Sequence, residues 1–165
     1  MKKNLTLAVT GITTSGRDAV KLLVTRHFGP NVDYLHEPDG SPVLSGTTER
    51  ISASHSRHWA ALAIHPTMRP GVDIEENRPG QLERVAQKFL SEREMPIWAD
   101  RLLEAWTCKE AVYKAAGCQG LALTDIDLTT DGVASVPDGR RFSLTTTRTN
   151  DYALTAALPI TDDQK

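Results

Sequence analysis

The chain has 165 residues, 19 Lys+Arg against 21 Asp+Glu, 39% hydrophobic and 24% charged content, the size and balance of one globular domain or of two small halves sharing a core. That balance excludes a disordered or fibrous chain. A formal charge of -2 without a basic stripe argues against nucleic acid, and no apolar run nears the twenty residues of a membrane span.

In chain order, residues 5–9 alternate apolar with polar side chains and read as a strand, too broken by polar residues for a signal peptide. Ser15-Gly16-Arg17-Asp18 opens a helix through Val24, which Gly29-Pro30 stops. A short strand at 32–35, a turn at 37–42 and a polar linker to Arg50 lead to residues 51–56 and to a buried strand at 59–64. A strand at 71–75 follows between Pro70 and Pro79. The run 81–90, apolar at Leu82, Val85, Ala86, Phe89 and Leu90, predicts an amphipathic helix. Ser91 to Glu94 caps a short helix to Trp98, and a long helix covers about 100–116, ending at Gly117. Strands are predicted at 121–123, 126–128, 141–144 and 152–158, so the fold class is α+β. The Ala-rich strands 59–64 and 152–158 hint at an internal duplication. Cys108 and Cys118 make no CxxC pair and read as packing residues of a protein in a reduced, cytoplasmic compartment.

Two segments carry chemistry. In Gly71-Val72-Asp73-Ile74-Glu75, strand alternation puts Asp73 and Glu75 on one face, about 7 Å apart along the chain. In the long helix, Trp106, Glu110 and Lys114 stack along one stripe at i, i+4, i+8. Three hard carboxylates suit Mg²⁺, with Mn²⁺ equally acceptable, and a lysine one turn away suits a phosphate substrate. The plainer alternative is a half-buried strand with its polar face in water and a helix-surface pair worth about 0.3–0.5 kcal/mol. Arg84, Lys88, Arg93 and Arg101 form a basic group that suits either an acidic protein partner or a solvated face.

Six blocks in order over residues 40–121 resemble the phosphopantetheinyl transferases of the surfactin type. They are Gly40-Ser41-Pro42; Ser52 to Ser56, ending Ser-His-Ser; Gly71 to Glu75; Phe89-Leu90-Ser91 with Glu94; Trp106 to Lys114; and Gly117 to Leu121. The resemblance implies a pseudo-twofold pair of small α+β halves, 1–70 and 71–165, each with an antiparallel sheet and a packed helix. It implies Mg²⁺-dependent transfer of the phosphopantetheine arm of coenzyme A to a serine of an acyl or peptidyl carrier protein, releasing adenosine 3′,5′-bisphosphate. Asp73, Glu75 and Glu110 are then the metal ligands and Glu110 the general base. Lys114 acts on the phosphates, Lys109 is a further phosphate contact, and Ser54 and His55 grip the 3′-phosphate. Trp106 packs as helix core, while His27, His36, His58 and His65 belong to no block and read as surface or local hydrogen-bonding residues.

The chain departs from that pattern in two places. The first half is short, so the basic residues that meet the nucleotide are not placed by motif; Arg17, Arg50 and Arg57 are candidates. Ser41 stands where lysine is common. A monomer is expected, with dimerisation open. The competing readings are a non-catalytic coenzyme A or carrier-binding module of the same fold and, third, an Mg²⁺-dependent phosphohydrolase.

Overall fold

The computed structural model describes residues 4–161. The elements in chain order are β1 (Thr6–Gly11), α1 (Gly16–Phe28), β2 (Tyr34–His36), β3 (Pro42–Leu44), β4 (Arg50–His55), β5 (Trp59–His65), β6 (Gly71–Glu76), α2 (Met95–Trp98), α3 (Leu102–Ala116), β7 (Asp127–Thr130), β8 (Val133–Ser135), β9 (Arg141–Arg148) and β10 (Tyr152–Pro159). An antiparallel sheet in the order β1-β5-β4 carries α1, and a second antiparallel sheet in the order β6-β10-β9-β8-β7 carries α3. The fold is α+β, as the residue patterns predict. The two Ala-rich segments hold matching places, since β5 and β10 each lie between two antiparallel neighbours.

Local chemistry accounts for the helix ends. Ser15 Oγ accepts the Asp18 N–H at 3.1 Å and donates to the Asp18 carboxylate at 2.7 Å, capping α1. Gly117, at φ 58, closes α3 in the left-handed region. Alternation along β5 then divides the core: Ala60, Leu62 and Ile64 pack toward α1, while Ala61 and Ala63 face Val72, Ile74 and Leu154 of the second sheet. Small side chains at 61 and 63 let the sheets approach closely.

Three expectations are corrected. Residues 81–90 form turns with a single 3-10 turn at Ala86–Lys88, not an α-helix. Pro79 and the left-handed Gly80 open with a turn, and Phe89, Leu90 and Ala86 each reach the core without continuous helical hydrogen bonding. Residues 121–123 lead into another 3-10 turn, Leu123–Asp125, in place of a strand. Cys108 is buried, but Cys118 is exposed and packs in no core.

Gly71 allows β6 to lie directly on α3. A Cβ there would stand 1.8 Å from the Ala111 carbonyl oxygen, a backbone atom that no rotamer change can move. Gly71→Ala is therefore expected to cost roughly 1–3 kcal/mol or more in urea unfolding, as overpacking does. An unchanged midpoint would disprove the contact.

Candidate active site

The sheets meet edge to edge, because β4 ends one sheet and β6 the other. The outward backbone groups of β6 are satisfied by side chains. Ser52 Oγ accepts the Val72 N–H at 3.1 Å, Ser54 Oγ accepts the Ile74 N–H at 3.2 Å, and Lys114 Nζ donates to the Val72 carbonyl at 2.9 Å. Asp73 sits in this seam and is 5% exposed. Its Oδ1 accepts from Ser54 Oγ at 3.0 Å and from Lys114 Nζ at 2.9 Å, whereas its Oδ2 is buried with no hydrogen-bond partner among the described residues.

Glu75 and Glu110 belong to the same locus. Burial, then the Asp73 charge, raises the Glu110 carboxyl above its ordinary range against the pull of Lys114. Glu75 is raised for the same two reasons, with Glu110 adding repulsion and Arg78 and Lys114 opposing. Strand and helix thus bring the three carboxylates within electrostatic reach of one another. Among the described residues they do not close on one point as a ready-made coordination shell. A bare buried carboxylate oxygen flanked by two further acids is nevertheless the donor set that a hard divalent cation takes, and an unpaired buried oxygen is costly unless such a partner meets it.

Beside the cluster opens a cleft of about 790 Å³ between the β2–β3 hairpin, β4 and the end of α3. Lys114 lines it and connects it to the carboxylates; two of its ammonium's three donors are engaged, leaving one. Arg50, Arg69 and Tyr113 also line the cleft. Arg69 Nε donates to the Lys114 carbonyl at 2.9 Å, which anchors the guanidinium beside the C-terminus of α3. Nothing in Met68-Arg69-Pro70 marks that role in the sequence, since a single arginine before a strand has no periodicity to betray it.

Three of the residues expected to contact ligand have protein neighbours in this structure. Lys109 is fully buried, and its ammonium donates to Glu94 Oε1 at 2.7 Å, to Glu94 Oε2 at 2.8 Å and to the Ile126 carbonyl. All three donors are consumed, so Lys109 has none for a phosphate. Ser54 and His55, adjacent on a strand, point to opposite sides. The Ser54 proton is committed to Asp73, while the His55 ring lies against Gly16 at the start of α1, so close that a Cβ on Gly16 would collide with it at 2.3 Å. His55 is exposed and lies outside the cleft lining. In the turn where lysine was missing, Ser41 Oγ donates to Asp39 at 2.5 Å. Of the basic group, Arg93 reaches Asp127 at 3.8 Å and Arg101 stacks over Trp98 at 4.5 Å.

One further pair fastens the seam. His58, in the β4–β5 turn, meets the end of β6 through its backbone N–H and Nδ1, at 2.9 and 2.5 Å from Glu76. Burial pushes the Glu76 carboxyl up, but these hydrogen bonds outweigh it and bring the pKa from 4.5 down to about 2. A lowered folded pKa contributes stability above the unfolded value and loses it on acidification. The destabilisation of Glu76→Gln relative to the parent chain is therefore expected in full above pH 4.5 and to shrink toward pH 2, measured by urea unfolding. A difference independent of pH would refute the pair.

Comparison with known proteins gives two matches. A family model described as the 4′-phosphopantetheinyl transferase superfamily matches residues 69–157, just over half of the chain and the part that holds β6 and α3. Over 131 residues the chain is 28% identical to the 4′-phosphopantetheinyl transferase HetI of Nostoc sp. (strain PCC 7120 / SAG 25.82 / UTEX 2576), a match covering 70% of this chain and 55% of that protein. The chain thus spans about half the length of the curated relative it matches.

Proposed function

The chain belongs to the 4′-phosphopantetheinyl transferase superfamily, and from that premise we propose that it moves the 4′-phosphopantetheine arm of coenzyme A onto a serine of an acyl or peptidyl carrier protein, in the cytoplasm. The observation that carries the reading is the Asp73 carboxylate, with one oxygen tied to Lys114 and Ser54 and the other buried and bare beside Glu75 and Glu110.

A seryl hydroxyl is a poor nucleophile at neutral pH, and a diphosphate repels it. In the proposed step the serine oxygen bonds to the β-phosphorus of coenzyme A. The diphosphate P–O bond breaks, and adenosine 3′,5′-bisphosphate leaves. Glu110 takes the seryl proton; its raised affinity for protons suits a base. Lys114 directs its remaining N–H at the diphosphate from the cleft side and offsets charge on the departing phosphate. Arg69 and Arg50 supply positive charge along the cleft that receives the nucleotide. Mg²⁺, or Mn²⁺ with the same preference for oxygen, would be held by Asp73, Glu75 and Glu110 and would supply charge neutralisation at the diphosphate.

The test is incubation with coenzyme A, Mg²⁺ and a panel of apo carrier proteins, followed by mass spectrometry of the carrier. Addition of the phosphopantetheine mass to at least one carrier is expected. A folded protein that modifies none of them removes the assignment, and coenzyme A binding indifferent to metal and without turnover would point to a binding module.

A further inference from the structure

Ser52 and Ser54 do the same structural job at neighbouring points of the seam. Each hydroxyl accepts one backbone N–H from β6, Val72 for Ser52 and Ile74 for Ser54, and so joins the first sheet to the second. Only Ser54 does anything more: its proton goes to Asp73 Oδ1. With Lys114 on the same oxygen, both lone-pair directions of Oδ1 are occupied, and Oδ2 is the oxygen left over. The χ2 torsion of aspartate has a broad, roughly twofold profile, so nothing intrinsic selects which oxygen faces outward. Two donors converging on Oδ1 make that choice.

Resting on the functional reading above, we infer that Ser54 is a positioning residue that presents Asp73 Oδ2 to a divalent cation. A residue that orients a metal ligand through a hydrogen bond commonly changes metal affinity by about 10–100-fold when removed.

The experiment uses the full chain with Ser54→Ala, Ser54→Cys, Ser54→Thr and Ser52→Ala. Mn²⁺ affinity is read by electron paramagnetic resonance, coenzyme A affinity without metal by calorimetry, folding by thermal melting, and transfer as a function of Mg²⁺. Ser52→Ala and Ser54→Ala should both lower the melting temperature, since each leaves one β6 N–H without its acceptor. Only Ser54→Ala and Ser54→Cys should weaken Mn²⁺ binding, by roughly 10-fold or more, while Ser54→Thr, which keeps the hydroxyl, should bind it as the parent does. Ser54→Cys, close in size but a weak donor, carries the test if the alanine variant does not fold. Transfer by Ser54→Ala and Ser54→Cys should recover as Mg²⁺ is raised, so that the KM for Mg²⁺ moves more than kcat. Mn²⁺ affinity equal in Ser52→Ala and Ser54→Ala, or a Ser54→Ala defect confined to metal-free coenzyme A binding, overturns the inference while leaving the transferase reading intact. A parent chain that neither binds Mn²⁺ nor modifies any carrier overturns both.

Discussion

Glu110→Gln is expected to lower transfer to the carrier by roughly 10²–10⁴-fold at saturating coenzyme A and Mg²⁺, the usual worth of a positioned base. The loss should appear in kcat, and the melting temperature should hold or rise. Glutamine matches glutamate in shape but cannot take the seryl proton, and it removes a carboxylate that Asp73 and burial both disfavour in its charged form. Relieving that repulsion offsets any packing loss. Single-turnover measurement with a pre-bound coenzyme A complex separates the chemical step from binding. Activity within a few-fold of the parent would reject Glu110 as the base, and a chain that no longer folds would mean that its carboxylate is structural.

The second large effect concerns stability. Glu94→Gln and Lys109→Met are each expected to cost about 3–5 kcal/mol, because either change strands a buried charge. The geometry is saturated on both sides. Lys109 spends three donors on the two Glu94 oxygens and the Ile126 carbonyl, and Glu94 also accepts the Leu128 N–H at 2.7 Å and the Ser91 N–H at 2.8 Å. This clasp ties α3 to β7 and to the turn before α2. Burial drives the Lys109 pKa down, and the Glu94 charge opposes that shift. The double variant should cost less than the sum of the singles, since each charge is a burden only without the other. It should still fall short of the parent, because glutamine offers one acceptor oxygen where Glu94 offers two, so either the Leu128 or the Ser91 N–H loses its partner, and the Ile126 carbonyl loses the ammonium. Additive losses measured by urea unfolding would show that the pair is not coupled.

The clasp gives Glu94 and Lys109, from two of the blocks that resemble the family pattern, a structural role. Phe89, Ser91 and Glu94 meet Trp106 and Lys109: the Phe89 and Trp106 rings are T-shaped with centroids 5.2 Å apart, and the carboxylate closes on the ammonium a turn further on. From residue types alone, a lysine in a motif beside a suspected base reads as a phosphate contact. Burial makes it a tie rod for the helix that carries the base.

Much of the site was legible in the chain. Alternation in Val-Asp-Ile-Glu and the i, i+4 step from Glu110 to Lys114 depend only on backbone periods, and so do the helix ends at Ser15 and Gly117. Periodicity determines which side chains share a face, but not what lies opposite that face. Lys109 and Lys114 are about 140° apart around α3, and either could have met the cleft until the packing of α3 on the second sheet buried one. Ser54 and His55 were bound to point apart, yet only the meeting of β4 with β6 decided that the serine would face Asp73 and the histidine α1. The helical pattern at 81–90 failed for a related reason, since buried apolar positions can be reached by turns as well as by a helix when Pro79 and Gly80 set the entry. Local dihedral preferences and side-chain periods were therefore readable from residue order. The partner of each buried polar atom was decided by contacts between segments far apart in the chain.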